Sequence, residues 1–401
     1  MNTENTTHNS ALILLAILAL ALNLRPAIAA IGPLADLLET QTGLNSTGIG
    51  LLTMLPIFFM GVGALCIKWL RTTFGEKQGI TVGAALITMS CFGRVWLNTD
   101  IGLVLTAVAA GMGIATVQAL LPAIIKRNFG VDTGRVIGFY SSAIVGGAAL
   151  AAASSAQLAN YVGWSEALAF WGVPALLAMV LWLFAGGDSN EAEQIAAMPR
   201  VEKIPFWWNA RSWSLLFFFG IATGAFMLIL AWLPPFYVAL GKSREFAGYL
   251  LAGFTVVELI TALIISSIIH RYPDRRGPLV ASLMTVIAGL ACLVLMPVKL
   301  VLAAVVLLGV GIGILFPLSL IVTVDHIDNP TRAGDFTAFV TGGGYIIASF
   351  MPLLAGWLRD IFADLSQAWL LMAIGISFLL LLAVSYSPAS YSRFTQAIRE
   401  D

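Results

Sequence analysis

The sequence predicts an all-α integral membrane protein: twelve transmembrane helices arranged as two pseudo-symmetric six-helix bundles. Three observations carry that reading. Hydrophobic residues make up 59% of the chain and charged ones 10%, where soluble domains carry about 25% charged residues. Apolar segments long enough to cross a bilayer recur between short polar breaks. The longest polar stretch, Gly187 to Arg211, divides those segments six and six.

In chain order, the first span covers 11–38. The Met1–Ser10 stretch before it has no basic residue, and the apolar run far exceeds a signal peptide's core, so it reads as a retained helix. Arg25 and Pro26 fall near its middle. The proline removes a backbone N–H and disturbs the preceding turn, which predicts a kink beside the arginine. Spans at 46–70, 79–97, 101–123, 136–159 and 165–186 complete a first unit, residues 1–186. The linker, 187–211, holds Glu191, Glu193, Arg200, Glu202 and Lys203, with Pro199 and Pro205 as breakers. Trp207, Trp208 and Trp213 mark re-entry into the membrane interface. Spans at 212–238, 246–269, 278–297, 300–323, 335–357 and 367–386 build a second unit, residues 212–401.

Loop charges set the orientation. One side carries Lys68, Arg71, Lys77, Lys126, Arg127, Arg135, Arg200, Lys203, Arg271, Arg275, Arg276 and Arg332, among others. The other has Lys242, Arg244, Lys299 and Arg359, with Arg94 near a helix end. That excess places the linker and both termini in the cytoplasm. A formal net charge of zero argues against a nucleic-acid partner, which needs a basic face. Cys66, Cys91 and Cys292 lie inside apolar segments without paired spacing, so they form neither a disulfide framework nor a metal site. There is no P-loop and no serine–histidine–acid arrangement at readable spacing. The chain is therefore not expected to be an enzyme, and no cofactor is expected.

The two units resemble each other weakly. Asn23-Leu24-Arg25-Pro26 is followed by Gly32, and Trp232-Leu233-Pro234-Pro235 by Gly241. The fourth span holds Gly111-Met112-Gly113 leading to Pro122, and the tenth holds Gly309-Val310-Gly311-Ile312-Gly313 leading to Pro317. Such matches favour two repeats facing each other across a midplane site.

The chain resembles the major facilitator superfamily of transporters and, within it, the cyanate permease branch. The stretches that carry the resemblance run over nearly the whole chain. They are Leu22–Pro26 with Gly32-Pro33-Leu34, Gln118–Pro122 leading to Ile125-Lys126-Arg127, Ala231–Pro234 with Phe236-Tyr237, His270 with Asp274-Arg275-Arg276, and Phe316-Pro317-Leu318 leading to Asp325-His326. The resemblance implies a secondary transporter working by alternating access on a small solute, a small anion such as cyanate, in the inner membrane of a bacterium. A monomer is expected to suffice. In the loop between the second and third spans the chain departs from the superfamily pattern: Thr72 stands where a gating aspartate would fall. The equivalent loop of the second unit, Arg271 to Gly277, keeps a better version.

Two charges stand inside apolar spans. Arg25 sits at mid-membrane depth, where an ionisable group is costly and faces a cavity, a partner or a substrate. Its planar, permanently protonated fork suits a small anion; a static packing pair is the duller reading. Glu258, in the middle of the eighth span with Thr255 on its face, reads as a proton-coupling group or as a counter-charge for Arg25. Asn23, Gln118, Trp232 and Tyr345 are the further substrate-binding candidates. Asn23 depends on the kink turning it inward, Gln118 reads equally as a helix–helix hydrogen bond, and Trp232 reads equally as an interfacial anchor. Arg94 reads as snorkelling to the interface. Asp325, His326, Arg127, Asp274 and Arg275 form the expected cytoplasmic gate. The rivals to anion transport are a proton-driven efflux pump for small organic compounds and a non-transporting membrane receptor.

Overall fold

The computed structural model describes residues 2–185, 206–327, 330–389 and 391. Most of the expected linker, 187–205, lies outside them, as do Arg200, Lys203, Arg393 and Arg399. The described residues are helical, with no strand among them.

Twelve long helices run in order: α1 (Asn2–Leu22), α2 (Ser46–Leu65), α3 (Glu76–Gly93), α4 (Asp100–Phe129), α5 (Thr133–Val162), α6 (Gly172–Ala185), α7 (Ala210–Ala239), α8 (Arg244–Ile268), α9 (Arg276–Leu295), α10 (Val301–Asp325), α11 (Pro330–Phe362) and α12 (Ser366–Ser385). Each expected span has its helix. Several starts are set by polar side chains that accept orphan N–H groups: Asn45 for α2, Thr99 for α4 and Ser243 for α8. Several helices overrun the apolar window, α4 and α11 most, because polar residues past the hydrophobic slab continue the same turn.

The kink expected at Pro26 is a full break. Helix α1 stops at Leu22, a short helix runs from Pro26 to Ala29, a 3-10 turn from Gly32 to Leu34, and a final helix from Ala35 to Thr42. The Leu22 carbonyl presses against Gly147 of α5, where a Cβ would collide with it. Absence of a side chain at Gly147 is thus what lets the broken α1 seat.

Packing repeats with a shift of six helices. The pairs α1/α5, α2/α4, α3/α4 and α3/α6 recur as α7/α11, α8/α10, α9/α10 and α9/α12. The glycine runs pack helices: Gly113 abuts Gly83 of α3, and Gly313 abuts the backbone of Glu258. The expected match between Gly32 and Gly241 is only in sequence. Gly32 is buried against α7, whereas Gly241 is a turn glycine at φ +80°.

The first six helices meet the last six mainly through α2 against α11 and α5 against α8. The α2/α11 seam is backbone on backbone: a Cβ at Gly61 would lie 2.6 Å from the Gly342 carbonyl, and one at Gly50 2.5 Å from the Pro352 carbonyl.

Candidate functional site

The break in α1 puts Arg25 at the start of the Pro26–Ala29 helix, where its own carbonyl accepts the Ile28 and Ala29 N–H groups at 3.0 and 2.9 Å. The side chain is 8% exposed. Its Nη1 reaches the Met60 sulfur of α2 at 3.6 Å. Among the described residues no carboxylate lies within 4.0 Å of it. A thioether is a weak acceptor, so the guanidinium is buried without a counter-charge.

Around it stand polar groups from four other helices. The Tyr345 hydroxyl of α11 lies beside both the Arg25 guanidinium and the Gln118 side chain of α4. Tyr140 of α5 and Glu258 of α8 both sense the Arg25 charge. Gln118 Oε1, the Tyr140 hydroxyl and Glu258 Oε2 are all buried with no hydrogen-bond partner. Buried polar atoms are normally bonded, and three orphans around one uncompensated cation make a preformed polar site. Phe219 and Phe316 back it: Phe219 lies 5.5 Å edge-on to the Tyr345 ring and 5.8 Å from Phe316.

Arg25, Gln118, Tyr345 and Glu258 thus come together. Glu258 forms no ion pair with Arg25 within 4.0 Å, and Thr255 spends its hydroxyl on the Ala252 carbonyl of its own helix. Asn23 turns away: its amide donates to the Ala19 carbonyl at 2.8 Å and to Pro174 of α6 at 3.1 Å. Trp232 donates its indole N–H to the Pro352 carbonyl at 2.8 Å and lies under the Arg359 guanidinium, so it braces α7 on α11. Arg94 does not snorkel; it is 2% exposed and donates to the Ala27 carbonyl at 3.0 Å.

At the basic end the expected gate residues form separate clusters. Asp325 pairs with Arg275 at 3.1 Å, and Asp274 with Arg276 at 2.6 Å. His326 donates from Nδ1 to the Val322 carbonyl at 2.6 Å and accepts from Arg211 through Nε2. That arrangement calls for the neutral ring with its proton on Nδ1, and burial pushes the imidazolium down to about 4. Arg127 binds Glu76 at 2.6 Å, and Arg71 holds the same carboxylate.

Glu76 was missed in the sequence, together with Tyr140 and Met60. It opens α3, is 3% exposed, and supplies the acid that Thr72 does not. An acidic residue in the first turn after Gly75 was the readable signal, since helix N-termini favour carboxylates. Tyr140 and Met60 gave none: an aromatic or a methionine inside an apolar span looks the same whether it faces lipid or a cavity.

The family model described as Major Facilitator Superfamily matches residues 12–332 and 215–398. The chain belongs to that superfamily. Among curated relatives, the cyanate transport protein CynX of Escherichia coli (strain K12) is 31% identical over 94% of this chain and 98% of its own. The 2-nitroimidazole transporter of the same organism is 26% identical over 95% of each. Two solved structures share the major facilitator fold at 14% identity. The inward-open xylose transporter XylE from E. coli covers 93% of this chain and 94% of its own at TM-score 0.74. The nucleoside transporter NupG covers 96% and 98% at 0.72. This chain is therefore a multi-pass membrane transporter of a superfamily whose members move solutes, not an enzyme.

Proposed function

We propose that this major facilitator protein moves a small monovalent anion of the cyanate type by alternating access, with a proton as the coupled ion. The observation that carries the reading is Arg25: a mid-membrane guanidinium, 8% exposed, that meets the Met60 sulfur and the Tyr345 hydroxyl but no carboxylate within 4.0 Å among the described residues. A desolvated cation without a counter-charge is costly, and a bound anion removes that cost. Tyr345 and Gln118 offer donors beside it, and the Tyr140 hydroxyl a further one. One fixed cation fits one negative charge, so phosphate esters and dicarboxylates would leave charge uncompensated. Glu258 carries the coupled proton: once the anion cancels the Arg25 charge, a neutral carboxyl is the cheaper form in so dry a site.

The bundles would be 1–186 and 212–401, joined by the linker 187–211 and rocking about this midplane site. The basic end would face the cytoplasm of a bacterial inner membrane, and one protomer would suffice. The name of the CynX relative supports cyanate as the probe.

Labelled cyanate uptake into vesicles containing the purified protein, with and without an imposed proton gradient, tests the proposal. Saturable, gradient-sensitive uptake that Arg25→Gln abolishes while still inserting is the expected result. Normal uptake by that variant sinks the assignment. A second reading rests on the aromatic wall of Phe219, Phe316 and Tyr345 and on the 2-nitroimidazole relative: efflux of a planar, uncharged heteroaromatic against protons. Gradient-driven 2-nitroimidazole flux without anion competition would favour it.

A further inference from the structure

The break in α1 frees backbone groups that a continuous helix would pair. Beyond the Arg25–Pro26 junction, the Pro26 carbonyl accepts Ala30 N–H at 3.0 Å, as in a helix. The next bond is missing. Ile31 N–H turns to Ile28 at 3.1 Å, which leaves the Ala27 carbonyl without its helical donor. Arg94 fills that place from α3, its Nη2 3.0 Å from the Ala27 oxygen.

The choice of arginine there is informative. Arg94 is 2% exposed, its Nη1 has no partner, and among the described residues no carboxylate lies within 4.0 Å. A leucine or methionine would fill the space without the cost of burying a charge. What the guanidinium adds is a charge-assisted hydrogen bond to a carbonyl two residues from Arg25. The opposite side of the break is tied as well, by Asn23 to the Pro174 carbonyl at 3.1 Å. With α6 holding Asn23 and α3 holding Ala27, the segment that carries Arg25 is clamped from both sides.

We propose that Arg94 is a positioning residue for Arg25: through the Ala27 carbonyl it fixes the Pro26–Ala29 helix and so the place of the binding guanidinium. The idea rests on Arg25 being the binding cation.

The experiment has two arms on the full chain. Hydrogen–deuterium exchange in lipid nanodiscs compares the wild type with Arg94→Met, Arg94→Gln and Arg94→Lys. Arg94→Met should speed exchange over residues 28–34 by about tenfold while leaving α8 unchanged. Arg94→Lys and Arg94→Gln, which keep a donor, should restore most of the protection and remain interpretable if the methionine variant folds poorly. The second arm is transport, with cyanate as the probe, or 2-nitroimidazole if the wild type carries that instead. Arg94→Met should raise KM by about tenfold or more with a smaller change in kcat, and Arg94→Lys should recover it. Unchanged exchange in a folded Arg94→Met overturns the clamp. Faster exchange with a wild-type KM overturns the link to Arg25. A wild type that carries neither probe rejects the proposed substrates, and the exchange arm still decides whether Arg94 holds this segment.

Discussion

The two ends of the helix bundle use charge in opposite ways. At the end away from the basic loops, polar bonds join the first six helices to the last six. Asp36 meets Arg244 at 2.6 Å, Glu39 meets Arg359 at 2.8 Å, and Asn160 meets Glu245 at 2.6 Å. Asp360 takes the N–H groups of Ser46 and Thr47, each at 2.9 Å. At the basic end the described pairs stay within one set of helices: Glu76 with Arg71 and Arg127, Asp325 with Arg275, and Arg211 with His326. Lys68 to Asp335 does cross, at 3.3 Å, but those side chains are 81% and 40% exposed and such a pair contributes little. The far end is latched by several polar bonds across the two sets of helices, while the basic-end pairs among the described residues, Lys68 to Asp335 apart, lie within one set.

That contrast is testable from the largest effect downward. Gly61→Val should remove folded protein altogether, because the new side chain meets the Gly342 backbone of the seam shared by both ends. Recovery of monodisperse, transport-competent protein would show that the seam can yield. Glu76→Gln should cost about 3 kcal/mol, since it strands two arginines on a nearly buried site. A thermal melt should show the loss.

The His326 cluster predicts a pH effect at the basic end only. Its folded-state pKa, about 4, lies below the ordinary 6.5, so the stability it contributes is complete above pH 6.5 and is lost as pH falls toward 4. Arg211, Tyr386 and Tyr391 face it. Melts of the wild type should drop through that window, and those of His326→Gln should drop less. Equal slopes would remove the histidine from the account. The smallest effect belongs to the latch. Asp36→Asn with Glu39→Gln removes two partly exposed pairs of up to about 1 kcal/mol each. The population open at that end should rise by about tenfold, read as faster thiol labelling of Thr47→Cys. Unchanged labelling would mean that the latch is decorative.

The sequence revealed the spans, their number and the two intramembrane charges, because apolar length and a charge inside it are local properties. Which face each side chain takes is not local. Asn23 and Trp232 went to backbone carbonyls of α6 and α11, and Arg94 went inward instead of to the interface. Tyr140 entered the site with no signal of its own. Glu76 shows a further limit: the loop's buried acid sits four residues past Thr72, because a helix start can offer a carboxylate to Arg71 and Arg127 from there.

The bare seam between α2 and α11 has a mechanical consequence. Helices that meet through interlocking side chains must disengage each knob before they can roll, and each disengagement is a barrier. Where Gly50 meets the Pro352 backbone and Gly61 the Gly342 backbone, with Leu65 and Ile346 the side chains beside them, there are few knobs to lift. The pair behaves as a plain bearing: close contact resists separation through many weak dispersion contacts, while small rotations trade one smooth surface for another. In the proposed rocking of the two bundles, this seam would be the axle.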